Sequence, residues 1–102
     1  MHRLMVLYPQ PQDPHHFRAY YVDNHLPLAA ELPGLRGMRY SLDVAGVGDP
    51  SPYFAVWEGE FDSREAMERA LGSPVGRRVA EDTGNYATGG AHLLHFAVEA
   101  TR

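Results

Sequence analysis

Two side chains four positions apart, Tyr21 and His25, precede a proline in the stretch Tyr20-Tyr21-Val22-Asp23-Asn24-His25-Leu26-Pro27-Leu28. Residues four apart share one face of a helix, so a phenol and an imidazole can converge there. An imidazole titrates near neutral pH and a phenol donates a hydrogen bond. Together they suit the movement of a proton on a small organic molecule, with His25 as general acid or base and Tyr21 as donor to a substrate oxygen. The same residues also have a purely structural reading. A histidine ahead of proline can bond a carbonyl that the proline frees, and a buried tyrosine can be ordinary core with its hydroxyl satisfied. The local pattern leaves both readings open.

The elements that must position this pair follow from the punctuation of the chain. Residues 3–8 form an apolar run closed by Pro9 and Pro11, a first strand. Asp13 as N-cap and Pro14 at the first helical position start a helix over 14–24. Pro27 removes a donor and crowds the preceding turn, so the expectation is a break there with Leu26 outside the α region. A short helical piece through Leu28, Ala29 and Leu32 then ends at Pro33-Gly34. Met38, Tyr40 and Leu42 alternate with polar residues over 35–44, a half-buried second strand. The breaker-rich turn 46–52 leads into a third strand, residues 53–61, with Trp57, Gly59 and Phe61 on one face and Phe54, Val56, Glu58 and Glu60 on the other. Asp62, with Glu65 at capping-box distance, opens a helix whose inner face is Ala66, Met67, Ala70 and Leu71. A further helix over 74–82, a loop over 83–90 and a last strand over 91–100 complete the chain.

The order β-α-β-β-α-β predicts an α+β fold of the ferredoxin-like type: a four-stranded antiparallel sheet with its helices on one face. The opposite face would be bare and, with Phe54 and Val56 on it, apolar. Pairing with a second copy, sheet face against sheet face, is the expected remedy.

Composition bounds the chemistry further. A chain of 102 residues, 44% hydrophobic and 22% charged, is sized and balanced for one soluble domain. The net charge of -4 and the absence of a basic cluster give no footprint for nucleic acid. No apolar run reaches membrane length and no signal peptide is evident, so the expected location is cytoplasmic. There is no cysteine, and all nine basic residues are arginine, which removes thiolate nucleophiles, Cys-ligated metals and lysine Schiff bases. His15 and His16 are adjacent on a first helical turn and diverge, and His92 and His95 fall on opposite faces of a strand, so no metal site is expected. Gly46-Val47-Gly48 lacks the rest of a dinucleotide fingerprint, and Ser73 is not led in by a strand as a nucleophile elbow requires. No bound cofactor is therefore expected.

Several segments carry a resemblance to a known family. They are Val6-Leu7-Tyr8-Pro9, the H-x-P-L core within residues 21–28, Leu32-Pro33-Gly34-Leu35 and Phe61-Asp62-Ser63, followed by Gly72-Ser73-Pro74-Val75-Gly76 and Asn85-Tyr86-Ala87-Thr88-Gly89-Gly90. In this order the chain resembles the EthD family, small dimeric α+β barrel proteins named for a protein associated with degradation of an ether fuel additive. The wider superfamily includes cofactor-free monooxygenases of aromatic polyketides, polyketide cyclases, muconolactone isomerases and haem-degrading enzymes. The resemblance implies a pocket between helices and sheet, a homodimer and a small hydrophobic or aromatic ligand. It also places Tyr21 and His25 in the family's most recognisable motif.

Tyr86 is the third candidate for catalysis, in a loop that can close over a pocket or simply anchor itself by its ring. Trp57, Phe61, Tyr8, Met38, Tyr40 and Phe96 are candidate ligand-binding residues, since aromatic and soft apolar side chains line sites for aromatic ligands as readily as they build core. Two functions fit. One is a cofactor-independent enzyme that acts on an aromatic, polyketide-like or xenobiotic compound by acid/base chemistry, of isomerase, decarboxylase or monooxygenase type. The other is a non-catalytic carrier or accessory protein of a degradative oxygenase system.

Overall fold

The computed structural model describes residues 1–100. Four strands, β1 (His2–Pro9), β2 (Gly37–Ser41), β3 (Tyr53–Phe61) and β4 (His92–Ala97), form one sheet in the order β2-β3-β1-β4, every neighbouring pair antiparallel. Four α-helical pieces, α1 (Pro14–Tyr20), α2 (Leu26–Ala29), α3 (Arg64–Gly72) and α4 (Pro74–Asp82), complete the ferredoxin-like arrangement. Alternation along β1 is strict: His2, Leu4, Val6 and Tyr8 are buried, with Arg3, Met5 and Leu7 on the other face. Their partners Phe61, Gly59, Trp57 and Ala55 on β3 extend the same inner face.

Three expectations are corrected. The chain does not break before Pro27. Leu26 keeps α dihedrals (φ -59, ψ -45), and residues Tyr21–His25 form a π-helical turn in which the Leu26 N–H reaches the Tyr21 carbonyl. Widening the helix by one residue accommodates the proline ring and its missing donor without a kink. Phe54 does not lie on the bare face either. The β1–β3 register shifts between Tyr8 and Pro9, so the bulged strand turns Phe54 inward, edge-on to Phe17 at 5.0 Å. Finally, Ser63 rather than Asp62 caps α3, accepting from the Ala66 N–H, while Asp62 pairs with Arg36.

The helices cover the inner face of β1 and β3 but leave the edge strand bare. Every residue of β4 is exposed, including Leu93 (58%) on the inner face and Leu94 and Phe96 on the outer. The outer face is split in character. Arg3 pairs with Glu58 and Glu60 at one end, while Met5, Leu7, Val56, Leu94 and Phe96 form an apolar stretch beside it, flanked by Arg39, Ser41 and His92. Among the described residues no helix is long and apolar enough to cross a membrane.

A candidate active site between the helices and the sheet

The π-helical turn brings His25 inward, 3% exposed, and stacks it on Tyr21 at 5.3 Å between ring centroids and 19° between planes. The four-residue spacing keeps Tyr21 and His25 on one face, and the π-helical turn carries the imidazole toward the end of α4. There, the Nδ1–H of His25 donates to Asp82 Oδ2 at 2.8 Å. The carboxylate is held from two other sides: the Tyr20 hydroxyl donates to Oδ1 at 2.5 Å and Asn85 Nδ2 donates to Oδ1 at 2.9 Å.

Electrostatics fixes the protonation states. Burial alone would raise the Asp82 carboxyl, but the hydrogen bonds from Tyr20, Asn85 and His25 hold it below the usual carboxylate range. An ionised carboxylate can only accept, so Nδ1 must carry the proton and Nε2 of the neutral ring the lone pair. Burial pushes the imidazole below the ordinary 6.5, although Asp82 pulls the other way, so the ring is neutral at physiological pH. The phenols of Tyr8, Tyr21 and Tyr86 are all raised by burial and stay protonated; they serve as donors, not bases.

With Nδ1 committed, Nε2 makes no hydrogen bond among the described residues, and His25 is one of the side chains that line a cavity. The cavity measures about 70 Å³ and is walled chiefly by Tyr8, Trp57, Leu71, Val79 and Leu93 beside His25. Trp57 reaches across this wall because Gly59, two residues on, has no Cβ; one added there would run into the indole. The volume is about half of the ~150 Å³ that holds a benzene in an apolar protein cavity, and the space is partly open to solvent. Leu93, exposed at the sheet edge, is one of its walls.

The structure gathers some of the candidate residues and disperses others. His25, Tyr21 and Tyr86 form one cluster, with Tyr86 4.7 Å from His25 and its hydroxyl 2.8 Å from that of Tyr8. The Tyr21 hydroxyl is buried with no partner. Tyr8 and Trp57 line the cavity. Phe61 is fully buried core away from it, because its position opposite His2 lies at the far end of β1. Met38 borders a recess at the β2 edge with Arg39 and Glu58, and Tyr40 sits half-open at 6.1 Å from Tyr21. Phe96 is on the outer face of the sheet, because its register partner is Arg3.

Sequence reading missed Asp82, Tyr20 and Asn85, the groups that orient His25. Only one local feature marks Asp82: it ends α4, where a carboxylate meets the negative end of the helix dipole. Nothing else in the sequence links it to His25, 57 residues away. No group of three or more His, Cys, Asp or Glu side chains among the described residues is arranged to hold a metal ion.

These features define a class: a ferredoxin-like α+β subunit that carries an Asp-oriented histidine on an apolar helix–sheet cavity. The EthD domain model matches residues 9–90, and the chain belongs to the EthD family. It is 33% identical over 105 aligned residues, 99% of this chain and 97% of the other, to an uncharacterized 11.0 kDa protein of the thcB–thcC intergenic region of Rhodococcus erythropolis. The crystal structure of an EthD family protein from Bacillus halodurans C-125 is 27% identical and superimposes with a TM-score of 0.90, covering 97% of this chain and 99% of that one. Its fold is also similar to hydroxynitrile lyase from Passiflora edulis (14% identity, TM-score 0.77, covering 99% and 95%). A further likeness is to a protein from Thermobifida fusca YX described as dimeric and ferredoxin-like (14%, TM-score 0.73, 95% and 90%).

Proposed function

We propose that this protein is a cofactor-independent enzyme of small-molecule acid/base chemistry, with Nε2 of His25 as the general base. One observation carries the reading: a buried imidazole, held at Nδ1 by the Asp82 carboxylate 2.8 Å away and with Nε2 unpartnered, lines an otherwise apolar cavity. In the reaction, a substrate proton passes to Nε2 while Nδ1–H stays on Asp82, so the imidazolium forms already paired with a carboxylate. The electron pair stays on the substrate, whose anion then isomerises, loses a leaving group or meets oxygen. Of the phenols around the imidazole only Tyr8 lines the cavity; it stays protonated, and its hydroxyl shares a hydrogen bond with Tyr86, so charge developing on the substrate is balanced chiefly by the imidazolium that forms. The hydroxynitrile lyase of similar fold supports the assignment to small-molecule enzymes, and the aromatic walls favour aromatic or polyketide-like substrates.

The enzyme acts as a homodimer through the outer sheet face, where Met5, Leu7, Val56, Leu94 and Phe96 form an apolar field beside the Arg3–Glu58–Glu60 group. Replacing Leu94 and Phe96 together with Asp should convert the dimer to monomer in light scattering; a variant with unchanged mass overturns the assembly.

The test of the chemistry is C–H exchange from a panel of uncharged carbon acids, followed in deuterated solvent. His25→Ala should lower the rate by about 10²- to 10⁴-fold, the usual contribution of a positioned general base. A rate that survives the substitution removes His25 from the chemistry.

A further inference from the structure

The cavity wall is specific in what it lacks. Among the side chains that line it there is no Arg, Asp or Glu, and the chain contains no Lys. Its hydroxyls each make one hydrogen bond: Tyr8 shares one with Tyr86 at 2.8 Å, and Thr83 donates to the Ala80 carbonyl at 2.7 Å. The Trp57 indole N–H is buried and has no partner. The unpartnered acceptor nitrogen among the lining residues is Nε2 of His25, in apolar surroundings formed by Leu4, Val6, Leu71, Val79 and Leu93.

We infer that this cavity selects an uncharged weak acid, a hydroxyl compound or activated C–H compound with a single hydrogen-bond donor aimed at Nε2 and hydrocarbon elsewhere, and binds it in its protonated form. A carboxylate or phosphate ligand would enter with no cation to meet it and with Asp82 one ring away, so it would lose its hydration and gain only repulsion. A ligand that only accepts hydrogen bonds would face a lone pair on Nε2. A hydrocarbon would fit the walls but leave Nε2 unsatisfied. The donor-bearing neutral molecule is the one that suits both the imidazole acceptor and the uncharged, apolar walls. The inference deepens the proposed function and rests on its reading of Nε2 as an open acceptor, but it concerns binding and stands or falls without turnover.

The experiment holds the ring constant and varies the head group: 4-fluorophenol, fluorobenzene and 4-fluorobenzoate, titrated into the full chain and followed by ¹⁹F NMR. Because Leu93 is exposed, Leu93→Ala opens the cavity without touching the core, and both proteins are used. The phenol should bind roughly fivefold to tenfold more tightly than fluorobenzene, the worth of one buried hydrogen bond. The benzoate should bind at least about a hundredfold more weakly than the phenol. Phenol affinity should fall as pH rises through the ionisation of the phenol itself, and His25→Phe should erase the preference over fluorobenzene while leaving fluorobenzene bound. Benzoate that binds as well as phenol, or phenol that binds better as its anion, overturns the inference, as does failure of all three to bind either protein. A protein that binds as expected yet exchanges no substrate proton keeps the ligand class and loses the catalytic reading.

Discussion

Replacing Asp82 with Asn probes the arrangement most directly, because the amide matches the carboxylate in shape and differs in charge and in one donor. The carboxylate accepts three hydrogen bonds, from His25 Nδ1, the Tyr20 hydroxyl and Asn85 Nδ2, with its side chain 14% exposed. In the variant the amide oxygen can keep Tyr20 and Asn85, which leaves an NH₂ facing His25. An NH₂ donates, so Nδ1 must give up its proton and the tautomer flips to Nε2–H. The open acceptor on the cavity wall becomes a donor and the base is lost. Hydrogen bonds to a charged group are worth about 1.5–3 kcal/mol and those to a neutral one about 1. Weakening two and inverting the third should cost about 2 kcal/mol. In a domain of this size that corresponds to a melting temperature lower by roughly 10 °C. Imidazole ¹⁵N shifts read the tautomer and calorimetry reads the stability. The variant should also titrate His25 at lower pH than the parent, because the carboxylate that favoured the charged ring is gone. An unchanged tautomer with an unchanged melting temperature would refute the assignment of Asp82 as the group that orients His25.

Two further outcomes follow from the same cluster. Tyr21→Phe removes a buried hydroxyl that has no partner, so stability should be unchanged or higher by up to about 1 kcal/mol in urea unfolding. A large loss would mean that the hydroxyl is bonded after all. His25 binds its proton less readily in the folded protein than at the ordinary 6.5 of the unfolded chain, so between those two values the unfolded state holds more protons and stability rises with pH. Urea midpoints should therefore drop as pH is lowered from 7 through the window below 6.5. That part of the slope should vanish in His25→Phe, and a parent protein with flat stability across this window would contradict the buried neutral imidazole.

How much of this was legible beforehand differs by element. Strand β3 and helix α4 could be bounded from sequence because turn residues and prolines stop them on both sides, local signals that need no partner. The order of elements, the inner positions Trp57 and Phe61, and the pairing of Tyr21 with His25 on one face likewise follow from periods of two and of about four. Phe54 could not be placed, since a bulge shifts the alternation by one residue and leaves no mark in composition. Nor could the π-helical turn, where proline argued for a break and the packed aromatic cluster of Phe17, Tyr21 and Tyr86 instead kept the helix running. The His25–Asp82 bond is the clearest case of what tertiary structure alone decides. Its ends lie on different helices, and only packing both against one sheet brings an imidazole and a carboxylate to hydrogen-bond distance and so determines which nitrogen is free to act.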